Sequence, residues 1–156
     1  MEEQVKKYPF PQANDFNKVI KILETDEEFL NNKTYLQEVI DVSTDRQVQY
    51  YISACQFLRL IDERYQFTDT AKYIKKSCYE NKIMSLSRLI VSTPVFGEVF
   101  FKKHIYNEES SRDEIAQLIS DLWNSEDGFE VCYRRASTVQ RWIKWIEGER
   151  EVINGN

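Results

Sequence analysis

Two segments combine arginine, glutamine and hydroxyl side chains in a pattern that suits contact with DNA. A guanidinium group can fork onto guanine or phosphate, a glutamine amide matches adenine, and serine or threonine can cap a helix and touch phosphate. We expect each segment to begin a helix whose amino end enters the major groove. The predicted contacts are Ser43, Thr44, Arg46, Gln47, Gln49 and Tyr50 in the first segment, and Arg134, Arg135, Ser137, Thr138, Gln140, Arg141 and Lys144 in the second.

Both segments have an ordinary structural explanation beside the functional one, because the outer face of any surface helix is polar. Charge favours the second segment, in which four basic residues face only Glu130. The first contains Asp45 and follows an acidic stretch. We therefore rank the second segment above the first as a DNA contact.

No residue pattern predicts catalysis. Glu80-Asn81-Lys82 has the acidic-x-Lys spacing of a metal-dependent nuclease, but no Pro-Asp precedes it and its surroundings are helical. Metal-assisted phosphodiester cleavage needs carboxylates that converge on one cation. His104, the only histidine, has no nucleophile or ligand cluster beside it, and no glycine-rich phosphate loop is present. We expect no catalytic residue, metal or cofactor, and a chain that is not an enzyme as it stands.

The composition predicts an ordered, mainly helical protein of the cytoplasm. Hydrophobic residues make up 42% of the 156 residues, whereas 4 Gly and 3 Pro are too few for the turns of a β-sandwich. No apolar run approaches the roughly 20 residues of a membrane span, and the amino terminus lacks a signal pattern. The three cysteines, Cys55, Cys78 and Cys132, are predicted to be buried free thiols. The net charge of -5 counts against indiscriminate nucleic-acid binding.

The first half has the element order of a winged helix-turn-helix. An extended lead-in with Phe10 precedes a helix from Asn14 or Asp15, and Thr34 is predicted to cap a short second helix. Ser43 or Thr44 caps the longer recognition helix. Apolar residues on both sides of a charged turn then predict a short β-hairpin wing over residues 60–68, after which another helix begins at Thr68.

The second half repeats this order less cleanly. A helix begins at Pro94, another at Ser110 or Ser111, and a loop is predicted over residues 124–128. Ser137 and Thr138 then stand at the head of a second recognition helix. The fold class we predict is mainly α with short β-hairpin wings, a tandem winged helix-turn-helix with modules at residues 12–77 and 78–156.

Two stretches also resemble a known group of proteins. Phe10-Pro11-Gln12-Ala13-Asn14-Asp15-Phe16 and the run from Arg134 to Ile146, with its Arg-Arg-Ala-Ser-Thr-Val-x-x-Trp-x-x-Trp pattern, are similar to tandem winged-helix modules that accompany nucleases in bacterial restriction systems. The resemblance implies sequence-specific binding of double-stranded DNA as the target-recognition domain of a restriction-type endonuclease. Cleavage then belongs to a separate nuclease domain or subunit, and the net acidic charge departs from the pattern.

Three rival functions stay open at this point. A transcriptional regulator would use the same DNA-binding residues. A protein-interaction adaptor built on winged helices would use the acidic surface and exposed aromatic residues such as Tyr50 or Trp142. The weakest alternative is a metal-dependent nuclease that uses Glu80 and Lys82.

Overall fold

The computed structural model describes residues 8–123 and 127–154, and in these ranges the regular structure is helical. The chain divides into two compact units, Met1–Lys82 and Ile83–Asn156, whereas the sequence predicted a module boundary between residues 77 and 78. A single 3₁₀ turn, Glu27–Phe29, follows the first helix. The α-helices are α1 (Phe16–Leu23), α2 (Lys33–Ile40), α3 (Asp45–Phe57), α4 (Asp69–Lys76), α5 (Tyr79–Val91), α6 (Pro94–Ile105), α7 (Arg112–Leu122) and α8 (Phe129–Asn154).

Most helices begin at the capping residues that the sequence predicted. A side-chain oxygen of the cap accepts a hydrogen bond from a free backbone amide of the first turn, which offsets the lack of an intrahelical partner there. The α2 prediction was wrong, because Asn32 rather than Thr34 accepts from the amide of Tyr35. The confirmed caps are Asp15 of α1, Thr44 of α3, Thr68 of α4 and Ser111 of α7.

In the first unit, α1, α2 and α3 pack against one another in every pairing. Their apolar residues recur at helical spacing and are fully buried, as at Val19 of α1, Leu36 of α2 and Ile52 of α3. Phe10 of the lead-in is buried, with its ring 5.6 Å from that of Phe57. Burial of these faces supplies most of the free energy that holds the three helices together.

The predicted β-hairpin wing is wrong, and with it the tandem winged helix-turn-helix fold class. Residues 60–68 contain one isolated antiparallel bridge, between Ile61 and Phe67, and no strand is present in the described parts of the chain. Backbone hydrogen bonds flank this one bridge, and side chains satisfy other amides of the segment. The Asp62 carboxylate accepts from the amides of Arg64 and Gln66, and the amide of Phe67 donates to Glu27.

A lysine from α4 further ties this turn to the end of α1. The Lys75 ammonium donates to the carbonyls of Leu23 and Thr25 at 2.6 and 2.7 Å, and lies 4.1 Å from the centre of the Phe67 ring. A cation at these carbonyls complements the negative end of the helix dipole. Because the segment is held down in this way, it forms a packed corner of the first unit instead of a projecting wing.

In the second unit, α6, α7 and α8 pack against one another. Trp142 is fully buried and stacks on Phe96 with ring centres 4.9 Å apart, so it is not the exposed aromatic that an adaptor function required. Gly97 of α6 lies so close to the carbonyl oxygen of Val91 that a β-carbon would collide with it. Glycine therefore permits the sharp connection between α5 and α6.

In the described residues no single helix has both the length and the hydropathy of a membrane span, and α5 and α6 reach them only as a pair bent by 105°.

Candidate nucleic-acid interface

Helix α8 contains the whole of the second predicted DNA-binding segment in one uninterrupted run of 26 residues. The predicted helix start at Ser137 and Thr138 is wrong. Buried residues recur every three or four positions on both sides of that point, at Cys132, Ala136 and Val139, so one packed face continues through it. Of the loop predicted over 124–128, residues 124–126 lie outside the described ranges.

The outward face of α8 has a basic stripe, which we define as Arg134, Ser137, Arg141 and Lys144. Steps of three, four and three residues keep these positions on one side of a helix with 3.6 residues per turn. The three basic side chains are exposed and Ser137 is half-buried. The stripe rises about 15 Å along the helix axis at 1.5 Å per residue.

The cations of the basic stripe are free to bind a ligand. In the described residues, none of Arg134, Arg141 and Lys144 forms an ion pair or a hydrogen bond. Acidic residues on the same face occur beyond the stripe at either end, Glu130 one turn before it and Glu151 two turns after it. Arg134 also shares a cleft with Asp113 and Lys144 a cavity with Glu109, so the stripe is most positive at its middle, on a chain whose net charge is negative.

The other predicted residues of this segment lie at the side of the helix or beneath it. Arg135 is 11% exposed and pairs with Asp127, and its Nε is buried with no partner among the described residues. Thr138 is fully buried. Gln140 is half-buried and lines a cavity of about 160 Å³. The structure thus separates Arg135 and Thr138 from the four residues of the stripe.

That small cavity holds an ion-pair network among its lining residues. Lys103 contacts Glu147 at 2.9 Å and Glu109 at 3.6 Å, and the hydrogen bond to Glu147 raises the pKa of the Lys103 ammonium. His104 is exposed, with Nε2 3.2 Å from Glu147 and its ring 4.4 Å from that of Phe100. The opposite charges of Lys103 and Glu147 neutralise each other. Because Lys103 belongs to α6 and Glu147 to α8, this ion pair joins the two helices.

The first predicted segment is exposed at the amino end of α3, where its polar groups mostly bond to each other. The Gln47 carboxamide oxygen accepts from the backbone amide of Ser43 at 3.1 Å and from the Thr44 hydroxyl at 3.1 Å. The Thr44 hydroxyl in turn accepts from the Gln47 amide. This reciprocal arrangement satisfies the helix start and leaves fewer of these groups to meet a ligand.

The remaining residues of the first segment are also held by neighbours one turn away. Arg46 Nε donates to the Tyr50 hydroxyl at 2.9 Å, and Gln49 donates to Ser53 at 3.1 Å. Asp45 accepts from Gln37 and places a carboxylate beside Arg46. This surface offers one cation, Arg46, which is already hydrogen-bonded, whereas the basic stripe offers three.

The residues considered for metal-dependent cleavage do not converge. Glu80 is exposed in the first turn of α5, and Lys82 lies 3.7 Å from Glu24. In residues 8–123 and 127–154, no three His, Cys, Asp or Glu side chains are placed to hold one metal ion.

An exposed aromatic pair beside the stripe was missed by the sequence analysis. Phe129 and Tyr133, one turn apart on α8, stack with ring centres 5.9 Å apart and an interplanar angle of 28°. The signal was available in the i, i+4 spacing of two aromatic residues on the polar face of the helix. They line a cleft of about 400 Å³ together with Asp113, Glu130 and Arg134.

Comparison with known proteins identifies a family without naming an activity. No curated protein and no solved structure matches the chain. The resemblance to restriction-system modules therefore stays a prediction. Residues 18–151 match a domain of unknown function, DUF7226, and because this match covers most of the sequence, the chain belongs to that family.

Proposed function

We propose that the chain binds double-stranded DNA through the basic stripe of α8. The observation that carries the proposal is the alignment of three exposed cations, Arg134, Arg141 and Lys144, on one face of a rigid helix, with no ion pair to any residue in 8–123 and 127–154. Their helix packs on α6 and α7, so the side chains start from a fixed backbone. Ser137, between the first two, adds a hydroxyl that can donate to phosphate.

The spacing of the cations fits a DNA backbone. Arg134 and Arg141 are about 10.5 Å apart along the helix axis, and Lys144 lies about 4.5 Å further on. Phosphates follow each other about every 3.4 Å of duplex axis on one strand, so a helix along the groove can meet several of them. Arginine also forks onto guanine, which gives Arg134 and Arg141 a means of reading sequence.

The surroundings of the stripe limit how strongly it binds. Three phosphate contacts give a modest electrostatic contribution, and Glu130 and Glu151 restrict the positive surface to about three helical turns. A DNA-binding surface of this modest strength is compatible with a protein that acts together with a separate nuclease. We assign bond breaking to a separate nuclease domain or subunit, as the resemblance to restriction systems implies, and the amino end of α3 remains a predicted second contact.

A salt titration tests the proposal. Fluorescence anisotropy with a labelled duplex measures affinity at several salt concentrations, and three phosphate contacts predict a slope of log K against log salt of about −2.7. Arg141→Ala should reduce the slope by about 0.9 and weaken binding. Arg150→Ala is the matched control, since Arg150 is exposed on the same helix but nine residues, two and a half turns, away from Arg141.

The control and the wild type together decide between the functions. Equal weakening by Arg141→Ala and Arg150→Ala would show that net charge, rather than the stripe, drives binding. Failure of the wild type to bind any duplex at low salt would overturn the proposal and favour the protein-interaction adaptor.

A further inference from the structure

The cleft beside the stripe has the features of a stacking site for a base. Phe129 is 55% exposed and Tyr133 36% exposed, although both are large aromatic residues. The cleft volume of about 400 Å³ is within the range of small-molecule sites, roughly 300–1,000 Å³. Exposed aromatic rings next to cations are the means by which proteins hold single-stranded nucleic acid.

The Tyr133 ring of the aromatic pair is held by a third residue. The Arg112 guanidinium lies 3.8 Å from the centre of the Tyr133 ring, and its Nε donates to the Tyr133 carbonyl at 2.9 Å. Arg112 begins α7, so the contact joins two packed helices. The Tyr133 ring is therefore held in position before a base enters the cleft, and the exposed Phe129 ring is stacked on it.

The polar groups of the cleft complement a nucleotide. Arg134 belongs both to the cleft and to the basic stripe, so a strand that follows the stripe leads into the cleft. Asp113 and Glu130 supply carboxylates that accept hydrogen bonds from the amino groups of adenine, cytosine or guanine. Thymine has no such amino group and lacks this contact.

We propose that the cleft binds an unpaired nucleobase of a DNA strand whose duplex part lies on the basic stripe. This inference rests on the proposed duplex binding, and it specifies the substrate as DNA with an unpaired base, such as an end, a gap or a flipped nucleotide. A paired base cannot use the cleft, because its faces are covered by its neighbours in the stack.

Two hairpin DNAs with the same duplex test this assignment. One is blunt, and the other has a short adenine overhang with a fluorescent base analogue at the first unpaired position. We expect the wild type to bind the overhang hairpin at least about fivefold more tightly, which corresponds to the lower end of base–aromatic stacking, and to quench the analogue. A thymine overhang should give a smaller preference.

Variants assign the effect to the rings. Phe129→Ala should remove the preference and the quenching while blunt-hairpin affinity is unchanged, and Phe129→Tyr, which keeps a ring, should retain both. Tyr106→Ala is the control, because Tyr106 is 70% exposed in the same unit and does not line the cleft. Circular dichroism checks that each variant is folded.

The outcomes separate the inference from the proposed function. Equal affinity for both hairpins, or a preference that survives Phe129→Ala in a folded protein, overturns the inference alone. Binding only to the overhang hairpin overturns duplex binding by the stripe, and with it the placement of the duplex part there, although quenching that Phe129→Ala abolishes would still locate a base in the cleft. Binding to neither DNA overturns both.

Discussion

Arg134 and Arg135 are adjacent in the sequence but have opposite environments. Arg134 is exposed and has no ion-pair partner in the described part of the chain, whereas Arg135 is turned towards Asp127 and is largely buried. A step of 100° around a helix separates them, which is enough to move a side chain from the solvent face to the packed face. Residue type alone predicted both as DNA contacts, and only the phase of the helix distinguishes them.

Truncation of Arg135 should therefore affect stability more than DNA affinity. Arg135→Ala leaves Asp127 without its cation and is expected to lower the free energy of unfolding by about 1–3 kcal/mol. A double-mutant cycle with Asp127→Ala in chemical denaturation measures the coupling, since paired residues give non-additive losses. Additive losses would show that the ion pair contributes nothing.

The three cysteines also differ in how far they are buried, and this difference predicts which of them reacts. Cys55 and Cys132 are buried, and desolvation raises the pKa of both thiols, that of Cys55 to about 12. Cys78 is exposed, contrary to the prediction that all three are buried. Because the thiolate is the reactive form, a native protein at mildly alkaline pH should label at Cys78 alone. Mass spectrometry identifies the labelled residue, and rapid labelling of Cys55 in the folded protein would contradict the structure.

Helices could be predicted from the sequence because their signals are local. Cap residues such as Thr44, Thr68 and Ser111 lie within three residues of the amides they satisfy, and apolar periodicity marks the buried faces. The β-hairpin could not be excluded in this way. The segment is held as a packed corner by residues distant in sequence: Glu27, 40 residues before Phe67, accepts from the Phe67 amide, and Lys75 of α4 contacts the Phe67 ring.

The candidate site shows the same contrast between local signals, which the sequence contains, and contacts between distant residues, which it does not reveal. The sequence predicted all four residues of the basic stripe, because their types alone suit DNA. It also predicted a helix boundary at Ser137 and Thr138, since these residues are common caps. Whether a threonine caps a helix or lies buried within one depends on the packing of α7 against α8, which one sequence does not reveal.

At the scale of the helices, two glycines provide matched substitutions. Gly97→Ala places a methyl group against the Val91 carbonyl in the connection to α6, and overpacking of this kind costs about 1–3 kcal/mol. Gly148→Ala has free space around it in α8 and should stabilise the protein by about 0.5–1 kcal/mol through helix propensity. Thermal unfolding of both variants checks the signs, and a stabilised Gly97→Ala would contradict the close approach.

At the scale of the whole molecule, the charge distribution is uneven. Acidic residues outnumber basic residues in each unit, so long-range repulsion opposes any polyanion, while the basic stripe attracts one locally. Salt screens the long-range contribution over a Debye length of about 10 Å at 0.1 M, so only nearby charges should affect DNA binding. Which surface is positive could not be predicted from the net charge.

Removal of single negative charges tests whether only charges near the stripe affect DNA binding. Glu151→Gln, on the same face as the stripe, should tighten binding to a blunt duplex by up to about fivefold at low salt. Glu28→Gln changes the net charge equally but is not on this helix face, and its gain at the same salt concentration should be smaller. Equal gains in the two variants would mean that the overall charge, not its position, sets the affinity.

The long helix α8 continues for two turns beyond Ile146, its last buried residue. Backbone amides in those last turns should exchange with deuterium at the rate of local fraying, while amides between Cys132 and Ile146 exchange only when the second unit opens. The cations at 134, 141 and 144 all lie in the slowly exchanging part. Their spacing is therefore preorganised before any ligand arrives, and association requires little loss of backbone entropy.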